Sequence, residues 1–157
     1  MAQPQDVQVT LTPVMNANGS FNYWQMSVDK GSPQGPGNYP AATVTNGNKA
    51  DFTVTIQNGP GQNFTFANIL VPAENKEIHT VGGLGTNKMT FKDHNWGKAD
   101  IPYEILFTNA PKLDPIIKND GGGPPVYQAY LLDFAIFAGA VMLTLLFVRL
   151  ALGWRRV

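Results

Sequence analysis

The chain contains no cysteine. That absence removes disulfides, thiolate nucleophiles, zinc–thiolate sites and copper sites of the thiolate kind together. It leaves the compartment open, because a protein without thiols suits reducing and oxidising surroundings equally. Arginine is nearly as scarce, and its three copies, Arg149, Arg155 and Arg156, all sit at the C-terminal end. Residues 1–130 hold eight Lys and ten acids (8 − 10 = −2), and residues 131–157 hold the three Arg and Asp133 alone (3 − 1 = +2). Scattered Lys on a near-neutral head is not the clustered cationic face that a phosphate backbone demands, so nucleic acid is not an expected partner. The opening residues, MAQPQDVQVT, lack the basic stretch followed by an apolar run that marks a secretory leader.

The residues 131–157 are of a different kind. Leu131 to Leu152 is interrupted by charge only at Asp133 and Arg149. As a helix at ~1.5 Å per residue, this stretch covers ~33 Å, enough for a hydrocarbon core of ~30 Å. It predicts a transmembrane helix within residues 127–157, with Arg149 extending toward one interface and Asp133 close to the other. Tyr130 and Trp154 flank the run where amphipathic rings favour the headgroups, and Arg155 and Arg156 form a short basic tail. A buried helix in a soluble core would need more surrounding protein than the head supplies. Ala135 and Gly139 form a small-xxx-small face that lets another helix approach, and Asp133 is easier to keep beside a donor from such a partner. The Arg cluster predicts a cytoplasmic C-terminus and a periplasmic or otherwise extracytoplasmic head. A tail anchor carrying a cytoplasmic head is the competing expectation.

Upstream, KNDGGGPP (residues 118–125) opens a linker spanning 118–126. Eight residues reach at most ~28 Å, which predicts a head held close to the membrane surface. Residues 1–117 form one head, of the ~100 to 150 residues usual for a single domain. VQVTL places Val7, Val9 and Leu11 on one face, and FTVTI does the same with Phe52, Val54 and Ile56. FNYWQMSV (21–28), NFTFANILV (63–71), KMTFK (88–92) and PYEILFTN (102–109) read as four further strands. Turn-formers separate them: NANGS, GSPQGPGNYP, NGPGQN, GGLGTN and DHNWGKAD. No helical period occurs before residue 126. The expected fold is an all-β antiparallel sandwich, Ig-like or cupredoxin-like, followed by the single C-terminal transmembrane α-helix.

Candidates for chemistry are few. His79 and His94 lie near Asp93 and Met89 in sequence, but a blue-copper site needs a Cys, and histidines that bind nothing are the expectation. The glycine-rich GGLGTNKMT (82–90) lacks the GK[ST] ending and a following helix, so it reads as a loop. No G-x-S-x-G elbow occurs. Glu74 and Glu77, three apart in a polar turn, read as solvated charge. The sequons at Asn18 and Asn63 fit an Asn-rich head by chance. Trp96, flanked by polar residues, is the expected surface contact, set against a loop plug packed on the core. One of Tyr23 and Trp24 must point inward.

These features predict a non-catalytic accessory subunit with no cofactor and no metal. Its helix packs on the helices of integral membrane partners in the lipid bilayer, and its β head braces an extramembrane surface; a respiratory or photosynthetic complex is one setting. The alternative is a membrane-anchored module that binds carbohydrate or peptide through loop aromatics such as Trp96. A metal-dependent or redox enzyme is the third reading.

Overall fold

Short runs of alternating apolar residues build ten strands in the computed structural model, which describes residues 3–45 and 49–121. They are β1 (Gln5–Met15), β2 (Phe21–Val28), β3 (Ala42–Val44), β4 (Ala50–Ile56), β5 (Phe66–Leu70), β6 (Ile78–Gly82), β7 (Lys88–Asp93), β8 (Lys98–Pro102), β9 (Glu104–Phe107) and β10 (Ile116–Asp120). Period two decides which side chains enter the core. Val7, Val9 and Leu11 of β1 and Phe52, Val54 and Ile56 of β4 are all buried, while the residues between them face outward or lie half-buried.

Five strands pair in the order β2-β1-β4-β7-β6, three in the order β3-β10-β8, and β5 pairs with β9. Two of the three sheets are mixed and the β5–β9 pair is antiparallel, which corrects the expectation of an all-antiparallel sandwich. β1 runs parallel to β4, with Val9 opposite Val54, and β10 runs parallel to β3, with Ile117 opposite Ala42. Alternation records which face a residue takes and carries no information on strand direction. A parallel pair needs a long crossover; here the chain passes through β2, the turns after Val28 and β3 before it returns as β4. The described residues are all-β, an arrangement compatible with a β-sandwich. Among them no helix is long and apolar enough to cross a membrane; Leu131 to Leu152 lies outside the described residues. β10 continues pairing to Asp120, through the first residues of the sequence-defined linker.

One core receives side chains from all three sheets. Of the Tyr23–Trp24 pair, Trp24 is the inward one. Its ring meets Phe107 at 4.3 Å between centroids, Phe21 at 5.1 Å and Phe64 at 5.4 Å. The indole Nε1–H donates to the Pro111 carbonyl at 3.2 Å, so this buried aromatic has its polar tip satisfied. Phe52 and Phe91 face each other across the β4–β7 pair and stack at 4.6 Å. Cross-strand aromatic pairs of this kind hold register as well as stability. Gly83, with φ +80°, closes the turn before β7, where a β-carbon would collide with the Lys88 carbonyl.

Among the buried aromatic residues described, Tyr103 leaves its polar atom unsatisfied. It is buried, its hydroxyl has no partner, and burial pushes its pKa above the ordinary tyrosine value. An unpaired buried hydroxyl costs about 1–3 kcal/mol. Tyr103→Phe therefore keeps the edge-on contact with Phe91 and is expected to raise the unfolding free energy by about 1 kcal/mol. Urea denaturation monitored by circular dichroism measures it; a loss of stability would mean that the hydroxyl has a partner in solution.

Candidate functional site

A cluster of polar residues lies where β6 begins and β7 and β10 end. β7 runs out at Asp93, which stands opposite Ala50 of β4 and Ile78 of β6. The turn from Asp93 to Gly97 then carries the chain to β8, in a different sheet. Asn95, at φ +50°, makes that turn possible, because a short polar side chain tolerates the left-handed region.

Three carboxylates and two amides fasten the turn. The Glu77 carboxylate accepts from the Trp96 N–H at 3.1 Å, the Gly97 N–H at 3.2 Å and Asn119 Nδ2 at 2.7 Å. Asp93 Oδ1 accepts from the Asn95 N–H at 3.0 Å and from Asn119 Nδ2 at 3.2 Å. Asn95 works in both directions: its Nδ2 donates to Asp120 at 2.9 Å and its Oδ1 accepts from the Gly121 N–H at 3.0 Å. Gly121, at φ +74°, leaves β10 where a β-carbon would strike the backbone of Lys98.

A ladder of rings lies against this network. His79 stacks on His94 at 4.0 Å between centroids, and His94 stacks on Trp96 at 4.3 Å with the planes 4° apart. His79 and His94, expected from the sequence to lie at the surface, are half-buried and in contact with each other. His79 Nδ1 meets the Thr80 hydroxyl at 2.6 Å. His79 Nε2, His94 Nδ1, Asp93 Oδ2 and Asn119 Oδ1 are buried without partners. Four of the five such atoms among the described residues thus fall in this one place. Burial is the main cause that lowers the His94 pKa to about 4, and His79, Lys49 and Lys92 lower it further by repulsion. Burial raises that of Asp93, opposed by its bonds from Asn95 and Asn119 and by His79.

A cavity of about 270 Å³ adjoins the ladder, bounded by Pro4, Lys49, Asp51, His79, Thr80, Lys92, Asp93 and His94. Rings stacked in near-parallel planes run their in-plane lone pairs side by side and do not converge them on one ion. Among the described residues no group of three or more His, Asp or Glu is placed to hold a metal. A second, more apolar hollow of about 530 Å³ is lined by Leu70, Val71, Pro72, Pro102, Tyr103, Glu104 and Asp114.

Trp96, the surface contact expected from sequence, is half-buried and gives one ring face to His94. Tyr130, Asp133, Ala135, Gly139, Arg149, Trp154, Arg155 and Arg156 lie outside the described residues. Glu77, read as solvated charge, instead accepts three hydrogen bonds, whereas no hydrogen bond or ion pair of the Glu74 side chain is seen among the described residues. Sequence reading did not single out Asn95 and Asn119 at all. The one signal available for Asn119 is its place two residues after Ile117, on the inward face of β10. No protein-family model matches this chain, and no curated protein matches it either.

Proposed function

We propose that this chain is a non-catalytic, single-span accessory subunit of a larger membrane complex, with an Ig-like or cupredoxin-like sandwich as its extramembrane head. The observation that carries this reading is the run from Leu131 to Leu152, long enough to span and closed by Arg149, Arg155 and Arg156. Ala135 and Gly139 offer partner helices a close approach, with Asp133 as a polar contact near the interface. The exposed Leu70, Val81, Leu84 and Ile116 give the head apolar points at which to brace a neighbouring subunit. The Arg cluster favours a head on the extracytoplasmic side.

Purification of the full chain in mild detergent, followed by native mass measurement, tests this. Co-purification with integral membrane partners is expected, together with their loss in Gly139→Leu. A chain that is extracted from membranes by alkaline carbonate, or that runs only as a free monomer, overturns the reading. A second reading, a membrane-anchored module for carbohydrate or peptide, is favoured by the ligand-sized hollow beside Leu70 and Tyr103 and by the half-buried Trp96. In that case Trp96→Ala abolishes ligand binding and leaves assembly intact.

A further inference from the structure

The bonds that hold the Asp93–Gly97 turn converge on the last residues of β10. Asn119 is tied to both Glu77 and Asp93, Asp120 is tied to Asn95, and the Gly121 N–H is tied to Oδ1 of the Asn95 side chain. Opening the turn therefore frees the end of the strand through which the chain leaves the head. We propose that this turn is an acid-operated clasp: closed, it fastens the end of β10 to the five-stranded sheet, and a proton on His94 releases it.

The geometry makes His94 the trigger. Its ring lies between His79 and Trp96, with both faces covered. Its Nδ1 is buried and has no acceptor, so a proton placed there gains no hydrogen bond and loses water. The charges around it do not compensate. From the β4 side come Lys49 and Asp51, from β7 Lys92 and Asp93, from β6 His79, and from the segment before β6 Glu77. Of the acids, Asp51 is engaged with Lys92 at 3.5 Å and Glu77 with the turn itself, while Asp120 of β10 is engaged with Asn95. Asp93, the remaining acid, is buried with Oδ2 unpartnered.

The closed state resists protonation of His94 until about pH 4, whereas a free histidine takes the proton near its ordinary value of 6.5. Throughout that window the open state binds more protons, so the closed state weakens as pH falls. Asp93 has the opposite sign. Its raised value lets the closed state hold a proton that the open state releases at 3.8, so it favours closure just above that pH and partly offsets His94. Full exclusion of the proton from closed His94 would change the closed-to-open ratio by about fiftyfold between pH 6.5 and 4.5. Solvent around a half-exposed ring and the opposing Asp93 reduce this, and about tenfold is expected.

The test is amide hydrogen exchange on the full chain in mild detergent at pH 7 and pH 4.5, corrected for intrinsic exchange chemistry. Protection of the Asn95, Trp96, Gly97 and Gly121 amides is expected to fall about tenfold, while the β1–β4 ladder keeps its protection. Equal protection of the turn at both values, or equal loss in the turn and the ladder, overturns the clasp. His94→Phe keeps a ring in the stack and removes the proton, so its turn should lose the pH response; a variant that folds and keeps the full response also overturns the proposal. The wild-type chain supplies an independent reading should that variant not fold. A His94 Cε1 resonance that titrates near 6.5 with the turn amides unchanged overturns it, and one that titrates only as those amides lose protection supports it.

Discussion

Trp24→Ala is expected to lower the unfolding free energy by about 4 kcal/mol, within the range for truncating a buried large aromatic. Trp24 is 2% exposed and touches three other aromatic rings, from β2, β9 and the segment before β5. Removing it opens a space that Phe21, Phe64 and Phe107 cannot fill, because each is anchored in its own strand or turn. It also removes the indole N–H that the Pro111 carbonyl accepts. Trp24→Phe retains most of the aromatic contact and loses that hydrogen bond, and about 1.5 kcal/mol is expected. Chemical denaturation of both variants gives the comparison. Equal costs would mean that the hydrogen bond, and not the ring packing, dominates; a cost below about 1 kcal/mol for Ala would place Trp24 outside the core.

Much of this core is legible in the sequence because its strands alternate strictly. β1 and β4 place every second residue inward with no polar interruption, and Tyr103, Ile105 and Phe107 do the same through β9. Four strands escape that reading, each for a physical reason. β3 is three residues long and lies amid glycine, proline and asparagine. β6 buries only Ile78, and at Thr80 its backbone passes through φ +57°, so the pairing slips before Gly82. In β8 only Ile101 is buried. β10 turns Ile117 and Asn119 inward, and with one of the two polar the segment reads as the start of a linker. Strand direction was not legible at all. The parallel pairing of β1 with β4 depends on how the intervening chain crosses over, which side-chain period does not encode.

The polar site was less legible than the core for a related reason. Its hydrogen bonds join residues far apart in sequence: Glu77 to Asn119 spans 42 positions and Asp93 to Asn119 spans 26. Locally, PAENKE has the composition of a solvated turn, and DHNWGKAD that of a loop. Only when β10 pairs between β3 and β8 does Asn119 come under the turn and convert two ordinary polar segments into one network.

Glu77→Ala tests whether that network holds the turn, and a loss of about 3 kcal/mol is expected. Three donors lose a charged acceptor in the variant: the Trp96 and Gly97 amides and Asn119 Nδ2. Hydrogen bonds to charged groups contribute about 1.5–3 kcal/mol each. The turn is only half-buried, so water satisfies part of what is lost and the sum falls well below three full bonds. Asn119 is different, because it is 5% exposed and water reaches it poorly. Its Nδ2 keeps Asp93 as an acceptor, which limits the damage there. Glu77→Gln separates charge from shape. The amide offers one acceptor oxygen in place of two and turns a donor toward either the backbone amides or Asn119, so about 1.5 kcal/mol is expected. Denaturation curves give both values, and hydrogen exchange at Trp96 and Gly97 locates the loss. If Glu77→Ala costs less than about 1 kcal/mol and those two amides stay protected, the turn is held by Asp93 and Asn95 alone. If the amides open at neutral pH while the β1–β4 ladder stays protected, Glu77 is the residue that keeps the turn shut against the sheet.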